Sequence, residues 1–127
     1  MNKFIIDASA VLVFLNQETG YREISKYMKN SAINSVNLSE VIGKLDDYGV
    51  LDRDIEKIIY NLGLEVVDFD FALAFQAGIL KKKTKERGLS IGDRACIATG
   101  IIKKLPVITS DKIWIEIDLP VKIILCR

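Results

Sequence analysis

Five short apolar runs, each too brief to be more than a strand, are spaced along the chain with helix-like segments between them. They are KFII at 3–6, AIN at 32–34, LEVVDF at 64–69, LPVITS at 105–110 and VKIIL at 121–125. Strands that alternate with helices in this way predict an α/β fold, a largely parallel five-stranded sheet flanked by helices on both faces. Helices are expected over SAVLVFLN behind Asp7, over Tyr21–Lys29, and over Val36–Tyr48, whose apolar positions are Leu38, Val41, Ile42 and Leu45. Further helices are expected from Asp52 or Asp54 to Asn61, from an Asp70 cap to Arg87, over Ser90–Lys103, and briefly over 112–117; Gly49, Gly63 and Gly88 supply the stops. With 127 residues and no linker or repeat, residues 1–127 read as a single domain.

One absence narrows the chemistry. The chain has no histidine, which excludes histidine-dependent triads, imidazole acid–base pairs and histidine-ligated zinc. Lys and Arg number 18 against 17 Asp and Glu, so any contact with nucleic acid has to be local rather than a matter of bulk charge. Cys96 and Cys126 have no metal-like spacing and read as small apolar residues of an intracellular protein. The opening MNKFIIDASAVLVFL is interrupted by Asp7 and lacks a small-residue cleavage site. It reads as neither signal peptide nor membrane span, so a cytoplasmic location is expected.

Four acids stand at positions where chemistry and capping compete. Asp7 and Asp111 each follow an apolar strand and precede a helix, along the sheet edge where parallel-sheet proteins bind ligands; each is also a good N-cap. Asp93 closes a Ser90-Ile-Gly-Asp93 capping box. Glu40 could pair with Lys44 one turn on, yet it lies at the apolar edge of its helix with Gly43 leaving room beside it. Together the four can converge on one pocket. Four carboxylates cannot share a dry site without protons or a cation, and all-oxygen ligation suits Mg²⁺ or Mn²⁺. Such an ion orients a phosphodiester and activates water without histidine.

In the pieces IIDASA with Asp7, NLSEV with Glu40, LSIGDRACIA with Asp93 and LPVITSDKIW with Asp111, the whole chain resembles the PIN-domain ribonucleases of the VapC toxin type. The resemblance implies an endoribonuclease dependent on Mg²⁺ or Mn²⁺, with Asp7 and Asp93 as principal metal ligands and Glu40 and Asp111 completing the pocket. It implies Ser9 and Thr109 as small hydroxyls beside it, an RNA substrate, neutralisation by a small antitoxin protein, and a homodimer.

Outside the quartet, Lys81–Arg87 (KKKTKER) is a solvated helix end or a phosphate-binding rim. Lys82, Lys83 and Lys85 are therefore candidate RNA contacts, and so is Arg94, which could instead meet a neighbouring carboxylate. Trp114 and Tyr21 could stack on bases, although core or interface packing suits each better. Two other readings compete. A haloacid-dehalogenase-like phosphohydrolase would use Asp7 as nucleophile, but its usual second Asp is replaced here by Ser9. A silent binding module would have no use for four clustered charges.

Overall fold

A computed structural model describes residues 2–127. Its sheet has the order β3-β2-β1-β4-β5, formed by β1 (Phe4–Ile6), β2 (Ser31–Asn34), β3 (Glu65–Val67), β4 (Val107–Thr109) and β5 (Ile123–Leu125). Every pairing is parallel, with Ile5 opposite Ala32 on one side of β1 and opposite Val107 on the other. The expected sheet is present, and it is parallel throughout.

Alternation along the strands divides the core. Ile6, Ile33 and Ile108 point to one face, where they meet α1 (Ala8–Leu15), α2 (Tyr21–Met28), α3 (Ser35–Asp47) and α4 (Asp52–Leu62). Ile5, Ala32 and Val107 point to the other, against α5 (Phe71–Thr84), α6 (Ile91–Lys103) and Trp114. Trp114 is fully buried there, which removes it from base stacking. Burial of both faces of β1, β2 and β4 explains why those runs are almost wholly apolar.

The helix expected over 70–87 is divided. α5 ends at Thr84, a 3-10 turn covers Lys85–Arg87, and Gly88 closes it at φ 67. Thr84 is buried, and its hydroxyl donates to the Leu80 carbonyl at 2.9 Å, a bond that competes with the backbone ladder at the helix end. Six residues then connect α5 to α6, and the two helices pack as a hairpin with Arg94 donating to the Ala77 carbonyl at 3.0 Å. The lysine-rich end of α5 is therefore carried to the side of α6 that begins with Ser90.

The start of three helices is fixed by polar side chains at the sheet's carboxyl edge. Asp7 caps α1, Asn34 caps α3 and Ser90 caps α6. Strand order reverses between β1 and β4, the switch point at which a cleft opens in folds of this class.

Candidate active site

The cleft at that edge has a volume of about 540 Å³ and is lined by Asp7, Ser9, Asn37, Glu40, Gly43 and Asp93, with Lys44, Asp46 and Asp47 toward the rim. Asp7 forms its floor, with only 4% of its surface exposed. One carboxylate oxygen, Oδ1, accepts from the Ala10 amide at 2.9 Å, which is the capping bond. The Ser9 hydroxyl donates to Oδ1 at 2.8 Å and to Oδ2 at 2.9 Å, and Thr109 Oγ1 donates to Oδ2 at 2.8 Å. Those bonds favour the charged form, but burial outweighs them and, with a smaller push from Asp93, raises the Asp7 carboxyl to a pKa of about 7. Ser9 and Thr109 thus both grip the same carboxylate.

Asp93 caps its helix and also faces the cleft. Its Oδ2 accepts from the Ser90 amide at 3.0 Å while Ser90 Oγ accepts from the Asp93 amide at 3.1 Å. One oxygen is held by the capping box, and the side chain still lines the pocket.

Glu40 does not take the alternative open to it, a pair with Lys44. Its Oε1 instead accepts from Asn37 Nδ2 at 2.8 Å. The carboxyl lies against the backbone of Gly92, where a Cβ would come within 2.4 Å of Oε2. Asn37 also donates to the Gly92 carbonyl at 3.0 Å and accepts from Asn34 Nδ2 at 2.6 Å. Neither buried amide was singled out from the sequence, nor were Asp46 and Asp47.

Asp111 departs from the expected quartet. Its side chain caps the following 3-10 turn, with Oδ1 accepting from Ile113 N at 3.0 Å, and it is not part of the cleft lining. It connects to the site indirectly, since its amide donates to Thr109 Oγ1 at 3.1 Å. Among the described residues, no group of three or more Asp, Glu or Cys side chains stands close enough to hold a metal ion. Local caps hold Asp93 and Asp111 where they are, and Asn37 holds Glu40.

One guanidinium nitrogen of Arg94 donates to the Ala77 carbonyl across the α5–α6 contact, and the Arg94 Nε is buried with no hydrogen-bond partner among the described residues. Lys82, Lys83 and Lys85 are exposed, whereas Arg87 pairs with Glu116 at 2.9 Å. Beneath the cleft, burial pushes the Cys96 thiol well above its usual range, and Asp7, Asp93 and Glu40 raise it further.

The model of the PIN domain matches residues 4–119. The chain belongs to the PIN domain family. Solved structures similar to this PIN domain include the DNA-bound VapBC of Salmonella typhimurium, 21% identical with a TM-score of 0.78 over 100% of both chains. VapBC2 of Rickettsia felis, bound to a promoter DNA fragment, is 22% identical with a TM-score of 0.70, over 95% of this chain and 96% of that one. FitAcB of Neisseria gonorrhoeae is 15% identical with a TM-score of 0.72, over 97% of each chain. Comparison with curated proteins gives no match. Among the described residues, no helix is long and apolar enough to cross a membrane.

Proposed function

We propose that this PIN domain is a metal-dependent endoribonuclease of the VapC toxin type. The observation that carries the reading is the buried Asp7 carboxyl, raised to about 7, in one cleft with Glu40 and Asp93. A carboxyl placed so needs either a proton or a cation beside it. The donors are all hard oxygens, which fits Mg²⁺ or Mn²⁺. Asp7 and Asp93 would hold the ion, Glu40 would act with them, and Asp111 would contribute from outside through Thr109. Mg²⁺ commonly binds through one or two carboxylates and several waters, so three converged ligands are not required. When bound, the ion supplies an activated water and charge compensation at the phosphate.

The chain's own part is positional. Ser9 and Thr109 fix the plane of the Asp7 carboxylate, the capping box holds one Asp93 oxygen, and burial of the floor excludes competing water. Lys82, Lys83 and Lys85, at the hairpin end beside the start of α6, are suited to substrate phosphates flanking the cut.

Two further surfaces support the expected partners. An apolar groove of about 830 Å³ between α3, α4 and β3 exposes Ile42, Tyr60 and Val66, a fit for an apolar segment of an antitoxin. The outward stripe Phe71, Phe75 and Ile79 of α5 is 83%, 60% and 56% exposed. Pairing two such helices through this stripe would bury it, which suits a homodimer. A cytoplasmic site of action follows from an RNA substrate.

The test is incubation of purified protein with total RNA, with and without Mg²⁺ or Mn²⁺, and sequencing of the new RNA ends. Discrete, metal-dependent ends are the expected result. RNA left intact by active-site-competent protein with either ion refutes the reading.

A further inference from the structure

We propose that Asn37 is a positioning residue for catalysis, holding the Glu40 carboxylate over the first turn of α6 so that it faces Asp7 and Asp93. This rests on the nuclease reading above.

Glu40 is exposed on α3, and a glutamate there ordinarily samples several rotamers. Lys44 stands one turn away without capturing it, since the ion pairs among the described residues involve other acids. What orders Glu40 comes from beneath. Asn37 is 1% exposed and its amide is fully committed: one Nδ2 hydrogen to Glu40 Oε1 and the other to the Gly92 carbonyl. Its Oδ1 accepts from Asn34 Nδ2.

Asn34, wholly buried, is committed too. Its Oδ1 accepts from the Asn37 backbone at 2.9 Å and its second amide hydrogen goes to Thr99 Oγ1 at 3.3 Å. Thr99 spends its own hydrogen on the Ala95 carbonyl at 2.8 Å, so toward Asn34 it can only accept. This fixes every orientation in the chain. Turning over the Asn37 amide would set its oxygen against a carboxylate and a carbonyl, and its nitrogen against the Asn34 nitrogen. The relay therefore begins inside α6, crosses the buried amides and ends on a carboxylate in the cleft.

Gly92 completes the device. Because it has no Cβ, the Glu40 carboxyl can lie on the backbone of α6, one residue from Asp93. Asn37 thereby ties the acid of α3 to the helix turn that carries the acid of α6.

The experiment compares wild type, Asn37→Leu, Asn37→Asp, Glu40→Gln and the Asn37→Leu/Glu40→Gln double variant. Asn37→Leu keeps the volume and removes the donors. Its expected kcat for RNA cleavage is about 10- to 100-fold lower, the usual consequence of losing a residue that orients a ligand, with KM within about threefold. Its Mn²⁺ affinity, read by electron paramagnetic resonance without RNA, should fall about tenfold. In the Glu40→Gln background the same change should cost nothing more. Wild-type kcat and Mn²⁺ affinity in Asn37→Leu, or losses that multiply in the double variant, overturn the proposal.

Asn37→Asp decides the matter if the leucine variant does not fold. An aspartate there can supply at most one hydrogen where Glu40 and the Gly92 carbonyl take two, so its kcat and Mn²⁺ affinity at a single pH should both fall below wild type; wild-type values of both overturn the proposal. If wild type cleaves no RNA but binds Mn²⁺, the nuclease reading falls and the affinity comparison still judges Asn37. If wild type binds no Mn²⁺, both fall.

Discussion

The two walls of the cleft hold their acids by opposite means. On the strand side, Asp7 is buried and gripped by Ser9, Thr109 and the Ala10 amide. Burial pushes its pKa to about 7. On the helix side, Glu40 reaches out from an exposed position and is fixed by an amide that is itself buried and neutral. The first arrangement places the desolvation penalty on the acid itself. The second places the buried polarity on Asn34 and Asn37, whose bonds are mutually satisfied, and leaves the acid in water. A site built from one of each gains a rigid reference point without two buried charges repelling one another.

The sharpest test of this contrast is loss of activity. Asp7→Asn retains the cap and the shape, and should lower cleavage about a thousandfold or more by removing a charge at the floor. Glu40→Gln should cost less, on the order of a hundredfold. Single-turnover rates of the two variants decide it, and equal losses would erase the distinction between the walls.

Stability should divide the walls in the reverse sense. The folded pKa of Asp7 lies above its unfolded value, so its contribution is complete below about pH 4 and is lost as pH rises toward 7. Metal-free protein should therefore melt lower at pH 8 than at pH 5, by roughly 5–10 °C if this group dominates. Asp7→Asn should flatten the dependence and melt above wild type at pH 8, while Glu40→Gln leaves the slope intact. Calorimetry in chelator at several pH values reads the difference.

Millimolar Mg²⁺ or Mn²⁺ should raise the melting temperature of wild type, because an ion binding only the folded state stabilises it. The rise should be smaller in Asp7→Asn than in Glu40→Gln. A wild-type midpoint indifferent to either ion counts against a shared ion altogether.

The smallest effect concerns the charges beyond the helix wall. Neutralising Lys82, Lys83 and Lys85 together should weaken RNA binding and flatten its log–log salt slope by about 0.7 per lost contact, with turnover at saturating RNA little changed. An unchanged slope returns this stretch to a merely solvated helix end.

Much of the strand wall was legible in the sequence, because its parts are local. An apolar run ended by Asp7, and another ended by Thr109 and Asp111, locate themselves on a parallel sheet's carboxyl edge once the strands are recognised. The Ser90–Asp93 capping box is likewise written out in four consecutive residues. The helix wall was less legible. AINSVNLSE shows two asparagines at i and i+3 before Glu40, but their meaning depends on the Gly92 carbonyl and Thr99, supplied by a helix more than fifty residues later. The spacing of Glu40 and Lys44 left a surface pair open as the alternative, and a buried amide holds Glu40 instead. Asp111 had the right address, yet its own turn claimed the carboxylate. Trp114, for which packing was the better reading, is fully buried.

The central strand also sets when the molecule becomes competent. Asp7 receives the Thr109 hydroxyl from 102 residues downstream, and β1 gains its second neighbour only when β4 joins it. At about 5–20 residues per second, a ribosome needs roughly 5 to 20 s to cover that interval. Until it ends, the floor of the cleft lacks one of its two hydroxyl grips. The cleft is therefore complete only after β4 has been synthesised and docked beside β1.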